Sequence, residues 1–439
     1  MLGLHDLPDS VRRNLARELM YSVSAGLLWG LALLSQVVVV RSLGGQAVHV
    51  TVIVAAMPAC SIFQPLWAAW ARYIRLQHMA LISGTSRTLP FLLLGWAQDA
   101  WTFTALVLAY YLLAGPITLA VPALYKYTYP DTHRGRIVGL LRLVQNSVTV
   151  PAMLLAAWLM DRDADLYRVI YPISGVLGLV GLYFYQRLEI PGDRPQDRAR
   201  YSELPTPRNI WEVLRRDELF RMFQATIFLT GAGFLMSRPI WIYMLDHVFS
   251  LSQLHMTLLV QVLPVLLGAV TAPWWGTLID RTSPVAGRVV FAWMGIFAYL
   301  ALFLSFWQKW LILAWTGAIL RGMVLGASEV AQTTGNLYFA LRRERAALYE
   351  SISSVFQGTR GLLMPLIGLV IFHWTGVYIF LVPTILNLWS LYLAWRLWQL
   401  EEPLRNQLKS NLTPCPGPDL RYSSFPGTGA SQSTQDQGL

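Results

Sequence analysis

The sequence predicts an all-α polytopic membrane protein, with twelve transmembrane helices arranged as two pseudo-symmetric six-helix bundles. Three observations carry that expectation: an apolar composition, a recurring span length, and positive charge gathered on one side. Of the 439 residues, 55% are hydrophobic and 13% are charged, and mean hydropathy is +0.46. A soluble domain needs roughly 25% charged residues to wet its surface, so much of this surface must face something other than water. The 18 Trp and 19 Tyr fit the same picture, because amphipathic rings collect at membrane–water interfaces. A soluble protein with an oversized core is excluded. Apolar runs of about 20 residues, enough to cross ~30 Å of hydrocarbon, recur from end to end.

The predicted spans fall near 19–41, 46–70, 77–97, 101–124, 137–160 and 167–186 in the first half. In the second half they fall near 219–243, 253–279, 287–307, 310–337, 348–373 and 376–399. Helices are required because backbone groups in lipid must satisfy one another within a segment. A closed barrel would need short alternating strands, whereas Leu27–Val40 is an almost unbroken apolar run. The predicted organisation is a short N-terminal segment (1–18), a bundle over 19–186, a linker over 187–217, a bundle over 218–399 and a tail over 400–439. The linker carries Pro191, Pro195, Pro205 and Pro207 with mixed charge, and a short amphipathic helix is expected from Asn209 to Glu218. The tail is rich in Pro, Gly, Ser, Thr and Gln and is expected to be disordered.

Charge gives the orientation. Of the 34 Lys and Arg, only Arg41, Arg162, Arg168 and Lys309 fall in the connections opposite the termini, and five arginines lie inside spans. The positive-inside rule then places both termini in the cytoplasm, with a bacterial inner membrane as the expected location. The net charge of +10 is thereby explained by short cytoplasmic connections, and no nucleic-acid partner is expected. The N-terminus shows no cleavable signal, so the first span is expected to act as an uncleaved insertion signal. Asn411-Leu-Thr has the form of a glycosylation acceptor, which a cytoplasmic tail would not use. Cys60 and Cys415 make no disulfide framework or metal site, and no cofactor is expected. The seven His are scattered and no nucleophile, metal or phosphate-loop motif occurs, so an enzyme is not expected.

The halves are related by an internal repeat. The connection after the eighth span reads Gly276-Thr-Leu-Ile-Asp280-Arg281, with Gly287-Arg288 close behind, and the one after the second reads Trp67-Ala-Ala-Trp-Ala71-Arg72-Tyr-Ile-Arg75. A single shift superposes Arg72 on Arg281 and Arg134-Gly-Arg136 on Arg343-Glu-Arg345, each pair opening the fifth span of its half.

Gly-x-x-x-Asp-Arg between the second and third helices of a six-helix half resembles the signature loop of the major facilitator superfamily. The resemblance covers about residues 15–400. It implies a secondary active transporter that moves a small polar solute by alternating access through a central cavity, coupled to a proton or another ion. The expected partners are the lipid bilayer and that small-molecule solute, with the protein a monomer. By the same resemblance Asp280, Arg281, Arg72, Arg134, Arg136, Arg343 and Arg345 form a cytoplasmic gate, although the positive-inside rule alone would also supply such arginines. The first half departs from the pattern, with Trp67, Ala71 and Ile74 replacing its glycine, aspartate and second glycine. The fourth span lacks an arginine-centred motif and the fifth is poor in glycine, which disfavours a proton-coupled drug exporter. The alternative is a transporter-like protein without transport activity, serving as an assembly factor, receptor or lipid-handling protein.

Ionisable groups inside a span cost ~2.5–3.5 kcal/mol on insertion scales, so each asks for a reason. The arginines are Arg87, Arg142, Arg238, Arg321 and Arg360, and Glu329 is the acid expected well inside a span. The tenth span carries a polar stripe of Arg321, Ser328, Glu329, Gln332, Thr333 and Asn336, with Gln332, Thr333 and Asn336 on the helical face of Glu329. The first span offers Ser22, Trp29 and Gln36, and the seventh offers Gln224, Gly231 and Arg238, each at spacing seven. In the resembling fold these spans line the central cavity. The candidate cavity residues are therefore Ser22, Trp29, Gln36, Gln224, Arg238, Arg321, Glu329, Gln332 and Asn336. Glu329 is the expected titrating group, unless it is paired with Arg321 or Arg360 as structural glue. Arg142 and Arg360, near cytoplasmic helix ends, are expected to snorkel, and the same alternative applies to Arg238 at the outer interface. Arg87 falls mid-span in a helix that is peripheral in that fold. A surplus of positive groups in the cavity would favour an anionic or zwitterionic solute.

Overall fold

Long apolar runs leave the chain one way to satisfy its backbone in hydrocarbon, and it takes that way. The computed structural model describes residues 8–71, 73–190, 193, 207–339 and 346–411. Among these no strand occurs, and nine helical stretches are long and apolar enough to cross a membrane. The first half holds α1 (Asp9–Arg41), α2 (Ala47–Ala59), α3 (Gln64–Trp70), α4 (Leu76–Leu93), α5 (Ala100–Leu113), α6 (Gly115–Thr128), α7 (Asp131–Arg162) and α8 (Tyr167–Gln186). After the linker helix α9 (Pro207–Arg216) come α10 (Glu218–Phe249), α11 (Gln253–Thr257), α12 (Leu263–Arg281), α13 (Pro284–Gln308), α14 (Leu311–Phe339), α15 (Ala346–Thr375) and α16 (Leu381–Asn411).

Several expected spans are interrupted, each for a local reason. The second divides at a 3₁₀ turn over Cys60–Phe63, between Pro58 inside α2 and Pro65 at the start of α3, because proline removes a helical N–H and crowds the preceding turn. The fourth divides at Gly115-Pro116 into α5 and α6. The eighth starts as α11 and passes through a π-helical turn, Leu258–Val262, into α12. The expected linker helix is present as α9, and Asp217 separates it from α10 by capping the Phe220 amide. The last helix reaches Asn411, beyond the expected limit of the span and into the stretch expected to be tail. Residues 412–439 lie outside the described residues.

Apolar side chains on the outer surface, such as Val370 and Trp374 on α15 and Ile385, Leu388 and Trp389 on α16, are exposed. In a bilayer those faces meet lipid rather than water.

Packing differs between the two ends of the bundle. Toward the C-terminal end of α1 the buried core is one cluster drawn from both halves, with Leu34, Val38 and Val54 packed together with Trp241, Leu245, Leu259 and Phe306. Toward the other end the clusters separate. Tyr21, Leu76, Met79 and Leu182 belong to one, and Phe220, Phe223, Tyr349 and Ile352 to another. The hydrogen bonds follow suit. At the Arg41 end, Arg41 pairs with Asp246 at 2.8 Å, and the Asp161 carboxylate accepts from the amides of Gln253 and Leu254 at 2.6 and 2.9 Å. Gln253 also donates to the Ser42 hydroxyl at 3.1 Å. At the opposite end, the side-chain hydrogen bonds found among the described residues include several that stay within a half. Asp193 accepts from the amides of Leu76 and Gln77 at the start of α4, Asn14 and Arg17 bind the segment after α8, and Tyr349 donates to Asp217.

Candidate functional site

Three of the arginines inside spans converge on one cavity of about 260 Å³. Arg238 comes from α10, Arg321 from α14 and Arg360 from α15, and the wall between them carries Thr230, Phe234, Tyr299, Ser328, Gln332 and Asn387, with Gln36 arriving from α1. Arg321 is 5% exposed and Arg360 8%, so neither reaches water by snorkelling. Arg321 lies 4.5 Å from the ring centres of Phe234 and Trp241 and 5.5 Å from that of Tyr299. Such an aromatic cage stabilises a desolvated cation by about 2 kcal/mol or more. Arg360 donates to the Ile227 carbonyl at 2.6 Å and lies flat against Gly231, where a methyl group would overlap its guanidinium. Arg238 donates to Gln261 at 2.9 Å.

These contacts leave donors over. Arg238 Nε, Arg321 Nη1 and Arg360 Nε are buried without a hydrogen-bond acceptor, and no carboxylate occurs among the described side chains lining the cavity. A buried N–H on a charged group left unmade costs several kcal/mol. The arrangement is therefore one that an anion completes. A fourth arginine stands behind the wall. Arg288, counted with the loop arginines in the sequence, is 1% exposed and donates to the Thr226 carbonyl and the Thr230 hydroxyl at 2.9 and 3.0 Å.

A second cavity, of about 410 Å³, lies in the first half and shares Met57 with the first. Its wall carries Tyr21, Trp29, Tyr110, Tyr111 and Tyr125, with Ser22, Gln145 and Asn146 among its polar groups. Arg87 belongs here, donating to the Tyr21 hydroxyl at 3.5 Å and standing 5.9 Å from the Tyr110 ring centre. Its position has a reason after all, because it faces a cavity rather than lipid. Arg142, which is exposed, lines the same space.

The candidates from the sequence are thus sorted between two cavities and elsewhere. Gln36, Arg238, Arg321 and Gln332 meet at the arginine cavity, and Ser22 and Trp29 line the other. Gln224 and Asn336 line neither of these two. They are buried against each other at 2.9 Å, between α10 and α14. The snorkelling expected for Arg360 and allowed for Arg238 is corrected, since Arg360 is buried with its guanidinium against Gly231 and Gln261 accepts from Arg238. Glu329 lies on α14, and its side chain falls outside what is described, as do those of Thr333, Asp280, Arg134 and Arg136. Arg72, Arg343 and Arg345 lie outside the described residues altogether, and Arg281 is exposed at the end of α12. The sequence also missed a buried acid. Glu18, assigned to the N-terminal segment, is 3% exposed within α1 and accepts a hydrogen bond from the Tyr129 hydroxyl.

The sequence profile of the Major Facilitator Superfamily matches residues 19–349. The chain belongs to that superfamily. Its fold is also that of solved superfamily-like transporters. A variant of the nucleoside transporter NupG superposes with a TM-score of 0.69 at 14% identity, over 88% of this chain and 98% of that one. A further structure of NupG gives 0.60 at 12% identity over the same shares. A POT family transporter in complex with a thioalcohol-conjugated peptide gives 0.67 at 9% identity, over 88% of this chain and 96% of that one. At these identities the likeness concerns the fold. No curated protein matches the chain by sequence. Superfamily membership makes this a multi-pass membrane protein with a transporter fold.

Proposed function

We propose that the chain is a secondary transporter that carries a small anionic solute by alternating access between two six-helix halves, with both termini in the cytoplasm. The observation that supports this reading most directly is the convergence of Arg238, Arg321 and Arg360 on one cavity, each with a buried N–H lacking an acceptor. Positive groups kept in a low-dielectric interior are retained for what they bind, because holding them there costs several kcal/mol. An anion entering the cavity exchanges its hydration for charge-assisted hydrogen bonds of matched geometry.

The packing also favours a particular state of the cycle. Because the described core is continuous across both halves at the Arg41 end and falls into separate clusters at the other, our reading is of a cavity closed toward the outside with its route toward the cytoplasm. Outward access then requires parting the Arg41–Asp246 pair and the Asp161 contact with α11. Glu329, one turn above Gln332 on α14, remains the proposed proton carrier.

The test is thermal stabilisation of the purified protein in detergent by a panel of monovalent and divalent anions, cations and neutral solutes. A ligand bound only by the native state stabilises it by RT ln(1 + [L]/Kd). Anions are expected to raise the melting temperature, and Arg321→Gln is expected to abolish the shift. Stabilisation by neutral solutes or cations, with none by anions, would overturn the reading.

A further inference from the structure

The two cavities abut, and their linings are chemically unlike. The arginine cavity, at about 260 Å³, falls below the ~300–1,000 Å³ usual for small-molecule sites. The neighbouring space is larger, at about 410 Å³. Five aromatic side chains line it together with two arginines, Arg142, which is exposed, and Arg87, which is half-buried and turned toward Tyr21 and Tyr110. Met57 is the residue common to both walls. It is an unbranched, polarisable side chain that re-packs at small cost and makes favourable sulfur–ring contacts.

We infer that the two cavities form one elongated site for an aromatic organic anion, its charged group on Arg238, Arg321 and Arg360 and its ring among Trp29, Tyr110 and Tyr125. This rests on the anion reading above and adds the second half of the solute. Offset-stacked or edge-on ring contacts add about 0.5–1.5 kcal/mol to area burial, so an aromatic ring gains over an equally apolar saturated one. Ser22, Gln145 and Asn146 supply hydrogen bonds to polar substituents on that ring. A solute bridging Met57 would also contact helices of both halves, which is the contact an alternating-access carrier needs in order to couple occupancy to rearrangement.

The experiment measures binding of four probes by ligand-dependent thermal stabilisation of the full chain: hexanoate, cyclohexylbutyrate, phenylbutyrate and phenylbutanol. Phenylbutyrate is expected to bind about tenfold more tightly than hexanoate and about threefold more tightly than cyclohexylbutyrate, with no detectable binding of the uncharged phenylbutanol. In Trp29→Leu the advantage of phenylbutyrate is expected to disappear while hexanoate affinity stays unchanged. Should that variant fail to fold, Asn146→Phe, which fills the aromatic cavity from an exposed position, is expected to do the same. Equal binding of hexanoate and phenylbutyrate to the wild type would overturn the elongated site while leaving the anion reading intact. So would a phenylbutyrate advantage that survives both substitutions. Binding of phenylbutanol with no binding of hexanoate would instead overturn the anion reading and this inference with it.

Discussion

Arg238 donates to the side-chain oxygen of Gln261 at 2.9 Å, and the amide nitrogen of the same Gln261 donates to Gln36 and to the Leu33 carbonyl at 3.2 and 3.3 Å. One amide thus joins a cavity arginine of the second half to α1 of the first. Gln261 sits in the π-helical turn Leu258–Val262, a departure from regular helix that often marks functional positions. If the proposed anion draws the whole Arg238 guanidinium toward it, it is expected to compete with the Gln261 oxygen and so to loosen a link between the halves at the Arg41 end.

Gln261→Leu removes the competitor and the link together. Freeing one charged N–H from an internal acceptor is worth about 1 kcal/mol, so anion affinity is expected to tighten about fivefold. Transport by the same variant is expected to fall, because tighter binding no longer trades against opening. Titration of the thermal shift and uptake into proteoliposomes read the two quantities separately. Weaker anion binding in Gln261→Leu would show that the amide supports the site rather than competes for it.

Asp161 holds the other side of this closed end. Its carboxylate faces the first amides of α11, where negative charge is favoured by the helix dipole and by unpaired N–H groups. Asp161→Asn is expected to destabilise this arrangement by about 1 kcal/mol. Read through a Ser42→Cys background, the substitution should raise the rate of labelling by a membrane-impermeant maleimide. An unchanged labelling rate would mean that Asp161 does not hold the halves together.

Gly231 is set by the cavity rather than by the helix that contains it. A side chain there would overlap the guanidinium of Arg360. Gly231→Ala is expected to displace Arg360 and weaken anion binding about tenfold. Because alanine is the better helix former by ~1 kcal/mol, the unliganded melting temperature should change little. A large loss of stability without loss of anion binding would assign Gly231 to packing alone.

The features legible in the sequence are those that depend on composition and period. Helical spans, the amphipathic linker helix and the presence of arginines inside spans all follow from residues read along one segment. What those arginines face does not, because it depends on which helices meet. Arg288 looked like a loop arginine and is fully buried, since α13 begins at Pro284 and places it one turn inside. Gln224 and Asn336 share the spacing expected of cavity residues, and they bind each other across facing helices, with Gln224 also on the wall of a third cavity beside α9. Ser22 and Trp29 line the aromatic cavity of the first half and not the arginine cavity. The interruptions at Cys60–Phe63 and Gly115 were written in Pro58, Pro65 and Pro116, and hydropathy averaged over a long window passes across them.

Glu18 shows how a short-range reading misplaces a charge. It precedes the apolar run of α1 and so reads as part of a solvated N-terminus, yet the helix starts at Asp9 and carries it to a buried position beside Tyr129. A buried hydrogen bond contributes ~1 kcal/mol net, and removing its donor alone adds the ~1–3 kcal/mol cost of leaving the acceptor buried and unsatisfied. Tyr129→Phe is therefore expected to lower stability by about 2 kcal/mol. The double variant Glu18→Gln with Tyr129→Phe should recover part of that loss, because a neutral amide is cheaper to bury than a carboxylate. Chemical denaturation of the four proteins in the cycle gives the coupling energy directly. A coupling near zero would place the weight of this contact on the surrounding Leu15, Ile137 and Leu141 packing instead of on the hydrogen bond.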